Sequence, residues 1–352
     1  MVKSKIVTIG GGTGAPVVIQ ALLLAGFTNI SCICASMDSG GKTGTIRSDE
    51  RDQVIAISDL LRNLLALIPP TSTNLRKYSS EIPSISEGHK KNIRAFTDMV
   101  SFIDGRQRNL GYTIYYALLE KYKNDFLKVQ AHLEKLLSIK FGGTAIPITT
   151  GSSNLCFKTR DGQIFHGEHE LDKQSMSRNT ITKLWLDPKV KATPEAITAI
   201  KTATHIIYCP GSLYGSILSN FLPKGIKTAL KASKAKKILI TNLVSNRNQT
   251  HHFTPKKYLR IFQRYTGLKK PFNLLLAPKQ SRLCFNRLHP KIAASYANEH
   301  SHFLGWSKKE RQSLHQYNIK VVTSNTISIT PQLNRLRHDP TKLSHILKKI
   351  IK

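Results

Sequence analysis

The stretch KIVTIGGGTGAPVVIQALLLAG, residues 5–26, decides the fold class. Its first part is a short apolar run that ends in three glycines, which predicts a buried strand followed by a tight turn. Its second part, residues 15–26, repeats apolar residues at helical spacing and ends at Gly26, a typical helix end. The run ISCICASMD at 30–38 predicts a second strand. Strand, glycine turn, helix and strand at this spacing predict a βαβ unit and a parallel sheet.

The same alternation continues along the chain. Further helices are predicted at 52–70, 111–122, 126–139, 193–203, 225–233 and 258–267. Further strands are predicted at 183–188, 205–212, 236–245, 273–278 and 319–325, and 144–168 is predicted to form two strands around the turn Asp161-Gly162. We expect one α/β domain over 1–352: Rossmann-like and doubly wound, with a mainly parallel sheet and helices on both faces. Residues 71–105 are predicted to be a partly helical insertion or lid, and 268–352 a C-terminal extension of the same domain.

Composition narrows the class of protein. Of 352 residues, 40% are apolar and 7% aromatic, which predicts a folded globular chain. The sequence contains no apolar run long enough for a membrane span and lacks the pattern of a signal peptide, so we expect a cytoplasmic protein. The cysteines are odd in number and lack metal-binding spacing, which predicts buried thiols in a reducing compartment. They are Cys32, Cys34, Cys156, Cys209 and Cys284.

The formal charge of +32 is high, with 53 basic against 21 acidic residues. Nucleic-acid binding is one explanation, because a basic surface gathers phosphates. The basic residues are spread along the chain, however, and no nucleic-acid module signature accompanies them. We therefore favour a solvated basic surface without a specific nucleic-acid partner. An electropositive site for a small anion is compatible with that view.

Three glycine loops carry the chemistry. The first, Gly10-Gly11-Gly12-Thr13-Gly14-Ala15, fits the pattern G-x-G-x-x-G/A between a strand and a helix, which favours a pyrophosphate at a helix N-terminus. The alternative is a tight turn without a ligand. In an NAD-binding protein, Asp38 at the end of the second strand would accept the ribose hydroxyls; otherwise Asp38 is a capping residue.

The second loop, Gly40-Gly41-Lys42-Thr43-Gly44, is similar to the end of an NTPase P-loop. A P-loop requires glycine where this chain has Ser36, and its Lys-Thr pair should open an apolar helix, which 44–51 do not resemble. The third loop, PGSLYGS at 210–216, also follows a predicted strand. Since ligands of open α/β sheets bind beyond the C-terminal ends of the strands, we expect the three loops to form one phosphate cleft.

Together these residues resemble the 2-phospho-L-lactate transferase (CofD) family and its YvcK-type relatives, the gluconeogenesis factors. The family's opening GGGTG matches Gly10–Gly14, and its aspartate-rich D-D-G-G loop matches 38–44. IPITT at 146–150 is similar to a further family stretch. The most specific match is PGSLYGSILSNFLPKGIKTAL at 210–230 followed by ILITNL at 238–243, which favours the YvcK-type branch.

The chain also departs from the family pattern. Ser39 stands where the family has its second loop aspartate, so Asp38 alone remains there as a metal ligand or, in a transferase, as the catalytic carboxylate. Asp59 lies in a G-D-I-R-N-like element with one extra residue, which makes it a weak second metal ligand. The family's Gly-Asn becomes Gly111-Tyr112, and its Gly-Glu-Thr-Asp becomes 248–251, NQTH. These losses weaken the case for metal-dependent transfer, which would use Mg²⁺ as its cofactor. The case for ligand binding is unaffected.

The resemblance implies two functions. The first is a regulator of carbon metabolism, cell-envelope homeostasis or cell shape that binds a nucleotide or nucleotide sugar such as UDP-N-acetylglucosamine. The second is a transferase that moves a nucleotide-activated phospholactyl group to an alcohol; an NAD-dependent dehydrogenase ranks third. A homo-oligomer is compatible with either of the first two. The residues assigned to nucleotide or phosphate binding are Gly10, Gly11, Gly12, Thr13, Gly14, Gly40, Gly41, Lys42, Thr43, Arg62, Asn63, Gly211, Ser212, Leu213, Tyr214 and Asn242.

Overall fold

A computed structural model describes residues 4–37, 55–70, 87–103, 109–172, 180–330 and 335–351. Its centre is a sheet of seven parallel strands in the order β10-β9-β8-β7-β1-β2-β3. These strands are β1 (Ile6–Ile9), β2 (Ile30–Cys34), β3 (Gly143–Pro147), β7 (His205–Tyr208), β8 (Lys236–Ile240), β9 (Leu274–Pro278) and β10 (Lys320–Ser324). The inner strands are mostly apolar and buried, as IVTI in β1 is, which is expected of strands covered on both faces.

Helices surround this sheet. In chain order they are α1 (Gly14–Leu24), α2 (Ser58–Ala66), α3 (Glu87–Ser101), α4 (Leu110–Lys121), α5 (Phe126–Leu137), α6 (Pro194–Thr202), α7 (Ile226–Ala232), α8 (Pro255–Thr266), α9 (Arg282–Leu288), α10 (Pro290–Asn298), α11 (Lys308–Gln312) and α12 (Pro340–Ile350). The chain steps outward from β1 to β3, then returns beside β1 and steps the other way. Right-handed crossovers therefore place helices on opposite faces, and the predicted doubly wound α/β fold is confirmed.

Two smaller sheets lie outside the central one. The first is β5-β4-β6, with β4 (Asn154–Thr159), β5 (Ile164–His166) and β6 (Ile181–Asp187). The second pairs β11 (Ile327–Thr330) with β12 (Arg335–His338). Both are antiparallel. The prediction of only two strands over 144–168 was wrong, because its first part is β3 of the central sheet and only β4 and β5 flank the turn Asp161-Gly162.

The predicted helix over 52–70 begins later than expected. The apolar run at its start is buried but not helical: the backbone N–H of Ala56 donates to the carbonyl of Ser36, and Tyr116 Oη donates to the carbonyl of Ile55. These bonds use backbone groups for tertiary contacts beside the sheet, so helical bonding starts only at Ser58. Periodicity alone does not distinguish a short, buried, non-helical apolar run from a segment of a buried helix.

The C-terminal part of the chain is built into this core. It supplies β9 and β10 to the central sheet, and α12 packs against α1. Within 71–105, the described part forms α3, which packs against α4 and α5. Four of the five cysteines are buried as predicted, but Cys284 is exposed. Over the described ranges, the helices lack the combination of length and apolar character that a membrane crossing requires.

Candidate functional site

A cavity of about 850 Å³ opens at the C-terminal edge of the central sheet. It lies where β1 and β7 are neighbours, which is the point where the strand order reverses. Diverging crossovers leave a crevice at such a point, and ligands of open α/β folds bind there. The loop after β1 contributes Gly12, Thr13 and Gly14 to the wall, and the loop after β7 contributes Pro210, Gly211 and Ser212. Two of the three predicted loops therefore meet in one cavity.

The first loop depends on its glycines for close backbone approach. A Cβ at Gly14 would lie 2.2 Å from the carbonyl oxygen of Pro210, and one at Gly11 would lie 1.7 Å from a carboxylate oxygen of Asp59. Gly12 has φ +63°, a conformation that glycine adopts without strain. The loop therefore packs directly on the Pro210 loop at Gly14 and on Asp59 at Gly11, and a side chain at either glycine would push the loop away from that partner.

Asp59, near the start of α2, supports the backbone of the first loop. Its Oδ1 accepts the backbone N–H of Gly12 at 2.7 Å and the guanidinium of Arg62 at 3.0 Å. One turn later, the buried Asn63 donates from Nδ2 to the carbonyl of Gly10 at 3.3 Å. The α2 element proposed from the sequence thus reaches the loop, with Asp59 and Asn63 bonded to its backbone and Arg62 on the cavity wall.

The third loop, at 210–216, is held in the same manner. Asn242, just after β8, accepts the N–H of Gly211 at 2.7 Å and donates to its carbonyl at 2.8 Å. Gln249 Oε1 accepts the hydroxyl of Ser212 at 2.9 Å and the N–H of Tyr214 at 3.0 Å. Ser212 Oγ in turn caps a π-helical turn at Leu213–Ile217 by accepting the N–H of Gly215. Gln249 stands where the family shows glutamate, and its amide oxygen accepts two hydrogen bonds, as a carboxylate oxygen can.

The predicted site residues occupy three kinds of position. Those on the cavity wall are Gly12, Thr13, Gly14, Asp59, Arg62, Gly211, Ser212 and Asn242. Gly10, Gly11, Asn63, Leu213 and Tyr214 lie behind the wall; the side chains of Leu213 and Tyr214 are 4% and 3% exposed, so Tyr214 packs in the core in this structure. Asp38, Gly40, Gly41, Lys42 and Thr43 lie outside the described residues. Ala35, three residues before Asp38, is on the wall.

Sequence reasoning missed one side of the cavity. The strand β12 contributes Arg335, Leu336, Arg337 and His338 to the wall, and the loop after Asn242 contributes a further set. That set is Leu243, Val244, Ser245, Asn246, Arg247 and Asn248. The available signal was the alternating basic strand RLRH near the end of the chain, beside the family-like TNL element. Neither pattern indicates by itself that the two segments meet.

Charges of both signs face the cavity. The acidic residues on the wall are Asp59, Glu168, Asp172 and Glu299. Asp59 is paired with Arg62, and Glu299 forms a bidentate pair with Arg335, whose hydrogen bonds hold the pKa of the Glu299 carboxyl below its usual value. Within the described part of the chain, Arg247 and Arg337 have no carboxylate partner. The wall therefore offers guanidinium groups to an anionic ligand.

Thiol chemistry is not supported at this edge. Cys209 follows β7 and lies against Gly10, where a Cβ would be 2.7 Å from the Cys209 Cβ. Burial raises the pKa of the Cys209 thiol well above its ordinary value, and it does the same for Cys34 at the end of β2. Since the thiolate is the nucleophile, these two cysteines are packing residues.

Comparisons with known proteins agree with this architecture. The gluconeogenesis factor of Listeria innocua is 31% identical over 285 residues, covering 79% of this chain and 80% of the relative. The gluconeogenesis factor of Halalkalibacterium halodurans is 25% identical over 359 residues, covering 99% of this chain and 96% of the relative. The crystal structure of a UPF0052 family member from Bacillus halodurans has the same fold, with a TM-score of 0.78 at 23% identity over 98% of this chain and 99% of that one.

The match at the level of the family covers most of the molecule. The model of the family described as "2-phospho-L-lactate transferase CofD" matches residues 6–327, from the first strand to β11. This range includes the glycine loops after β1 and β7 and the α2 element that supports the loop after β1. The chain belongs to the CofD family and is similar to its members named gluconeogenesis factors.

Proposed function

We propose that this protein binds a nucleotide or nucleotide sugar in the cavity between the two glycine loops and acts as a regulator, without turning the ligand over. The observation that carries the proposal is the meeting of the loops after β1 and β7 at the reversal point of a parallel sheet. The relatives named gluconeogenesis factors support a role in carbon metabolism. A role in cell-envelope homeostasis belongs to the same proposal.

The phosphates would bind at the N-terminus of α1. Thr13 at the N-cap makes no side-chain capping bond, and the first turn of this helix contains no acidic residue. The first-turn N–H groups of a helix have no partner within the helix, and the helix dipole favours negative charge beside them. Gly14, the first residue of α1, lies on the cavity wall. Arg62, Arg247 and Arg337 add guanidinium groups that bind phosphate oxygens through two hydrogen bonds each.

The size of the cavity fits this class of ligand. Sites for small molecules and cofactors span about 300–1,000 Å³, and this cavity of about 850 Å³ accommodates more than a phosphate alone. Polar side chains such as Asn246, Asn298 and Ser301 line the part beyond the loops. They offer hydrogen bonds to the hydroxyl groups of a sugar, whereas an apolar pocket would not.

The alternative function is a magnesium-dependent transferase related to the family's name. Mg²⁺ prefers carboxylate and water oxygens and would stabilise charge on the transferred phosphoryl group. Two of the four carboxylates on the described wall are already engaged, because Asp59 Oδ1 accepts from Gly12 and Arg62 and Glu299 is paired with Arg335. This leaves fewer oxygens for Mg²⁺, and we favour binding. Asp38, the remaining carboxylate of the second loop, lies outside the described residues.

A ligand panel tests the proposal. Thermal unfolding is measured with nucleotides, nucleotide sugars and dinucleotides, each with and without Mg²⁺, because a ligand that binds the native state raises its apparent stability. We expect a uridine-type nucleotide sugar or a related nucleotide to raise Tm without Mg²⁺ and to remain intact on prolonged incubation. Release of GMP that requires Mg²⁺ and an alcohol acceptor would establish the transferase. Stabilisation by NAD alone would establish the dehydrogenase.

A further inference from the structure

Three histidines lie close together beside segments that border the cavity. His251 and His252 follow β8 in the loop that carries Gln249, and His302 comes from the segment after α10. One ring nitrogen from each lies within 4.8 Å of the others. The ring centroids are 4.0, 4.8 and 5.3 Å apart. None of the three belongs to the cavity wall, so this cluster is separate from the proposed ligand site.

One of the rings has a nitrogen without a partner. His251 Nδ1 is buried and has no hydrogen-bond partner among the residues that the structure describes. A buried polar atom without a partner costs free energy, and such atoms in a folded protein require an explanation. His302 is held by one residue: Ser245 Oγ accepts the backbone N–H of His302 at 2.9 Å and lies 3.1 Å from its Nδ1. When Nδ1–H donates to Ser245, the Nε2 lone pair of His302 faces away and is open to a ligand.

The backbone at the third ring is unusual. His252 has φ +55°, in the left-handed region that residues other than glycine adopt at a cost. This conformation places the ring of His252 beside those of His251 and His302. Strained backbone of this kind is concentrated at functional sites.

The surroundings keep two of the imidazoles neutral. Burial, assisted by the neighbouring His251, Arg282 and His252, lowers the pKa of His302 to about 4. Burial also lowers the pKa of His251, with further contributions from His252, Arg282, His300 and Lys257. Neutral imidazole is the form that coordinates a metal ion. Among the described residues this cluster contains imidazoles and no carboxylate, which disfavours hard cations because they depend on anionic oxygen ligands.

We propose that His251, His252 and His302 form a binding site for a divalent transition-metal ion of the zinc class. Three imidazole nitrogens with an open fourth position are a typical Zn²⁺ arrangement. At Zn–N distances of about 2.0–2.1 Å, tetrahedral ligand nitrogens are roughly 3.4 Å apart. The ring nitrogens, which lie within 4.8 Å of one another, would therefore have to approach by up to about 1.4 Å to hold the ion.

Such an ion would connect two segments that border the cavity. His251 is two residues beyond Gln249, which holds the Ser212 loop, and His302 follows Ser301 on the cavity wall. The metal would therefore fix the segment that supports the third glycine loop, at 210–216, without contacting the ligand site. Binding of the ion does not depend on the proposed nucleotide function and is measured separately from it.

Zinc titration tests the site directly. The full chain is freed of metal with a chelator and titrated with Zn²⁺ by calorimetry, and with Co²⁺ by absorption spectroscopy to report the ligand geometry. We expect one Zn²⁺ per chain, a tetrahedral Co²⁺ spectrum and no binding of Mg²⁺. His302→Gln should weaken Zn²⁺ binding by at least tenfold, and Ser245→Ala by about tenfold, the lower end of the range for removal of a group that orients a metal ligand. The matched control, His315→Gln at an exposed histidine, should bind as the wild type does.

A second measurement uses only the wild-type protein, so it tests the site even if the variants fail to fold. In the wild-type protein, Zn²⁺ should protect His251, His252 and His302 from acylation by diethyl pyrocarbonate, as mapped by mass spectrometry, and should leave His315 reactive. Zinc binding that is equal in wild type and His302→Gln would overturn the proposal. Protection of His315 to the same degree would do so as well, because it would show that the ion binds histidines without selection.

Discussion

Asn242 holds Gly211 by both of its backbone groups. The amide oxygen of Asn242 accepts the N–H of Gly211 at 2.7 Å, and its amide nitrogen donates to the carbonyl of Gly211 at 2.8 Å. This pair connects the ends of β8 and β7, two neighbouring strands. It positions the loop that forms one wall of the cavity, so the loop's geometry depends on a side chain 31 residues away.

Asn242→Ala should therefore disturb the third loop, at 210–216. Because both bonds are lost together, we expect the free energy of unfolding to fall by about 1–3 kcal/mol. The affinity for the best ligand of the panel should weaken about tenfold. Calorimetric titration gives the affinity and urea unfolding gives the stability. Gln316→Ala, at an exposed amide, is the control. An affinity in Asn242→Ala equal to that of wild type would show that the loop is held without this pair.

Gly12→Val should abolish ligand binding while the protein stays folded. At φ +63° a β-branched residue is strained, and among the described residues only Ser216 Oγ lies within 4 Å of the added Cβ, so the side chain would extend toward the cavity. The matched control is Gly26→Val, beyond the other end of α1: φ is +86°, and no atom of the described residues lies within 4 Å of the added Cβ. Both variants should lose a similar unfolding free energy. Equal loss of binding in both would mean that strain, and not the cavity, is responsible.

Lys42→Ala tests whether the second loop serves the same ligand. Lys42 lies outside the described residues, but the chain enters its loop from Ala35 on the cavity wall. Loss of a charged hydrogen bond should cost about 1.5–3 kcal/mol, or roughly tenfold to a hundredfold in affinity. ATP hydrolysis is assayed in both proteins, and we expect none. Magnesium-dependent hydrolysis in wild type that disappears in Lys42→Ala, with unchanged affinity for the other ligand, would restore the P-loop interpretation.

His338 should make stability depend on pH. Its Nε2 donates to the carbonyl of Thr241 at 2.8 Å and its Nδ1 pairs with Thr326 Oγ1 at 2.8 Å, and burial lowers the pKa of this imidazole from 6.5 to about 4. Because the unfolded chain binds the proton first, this contribution is complete above pH 6.5 and is lost as the pH falls toward 4. The loss is about 1.4 kcal/mol per pH unit.

The measurement is urea unfolding of wild type and His338→Gln at several values between pH 7 and pH 4.5. The variant should be less stable at pH 7. Between pH 6 and pH 4.5 its stability should fall less steeply than that of the wild type, because its unfolding takes up about one proton fewer. The other histidines with lowered pKa are present in both proteins, so they cancel in the difference. Parallel curves would show that His338 does not titrate between the folded and unfolded states.

Local patterns were sufficient for most of the elements. A short, mainly apolar strand before three glycines and a run of apolar residues at helical spacing after them indicated the βαβ unit, because burial on both faces of a parallel sheet requires such strands. Thr193 before Pro194 indicated the start of α6, and its Oγ1 does accept the N–H of Ala196. The pattern failed at 55–57, where buried apolar residues serve tertiary contacts instead of a helix.

The sequence by itself determined that glycine loops follow β1 and β7 at one edge of the sheet, since glycine and strand patterns are local. Only the tertiary structure decided which side chains hold and complete the site. Asp59 reaches Gly12 over 47 residues, Gln249 reaches Ser212 over 37, and β12 brings Arg337 to the same cavity. The physical reason is that a side chain's partner is set by packing between elements distant in the chain, whereas periodicity reports only which face of an element is buried.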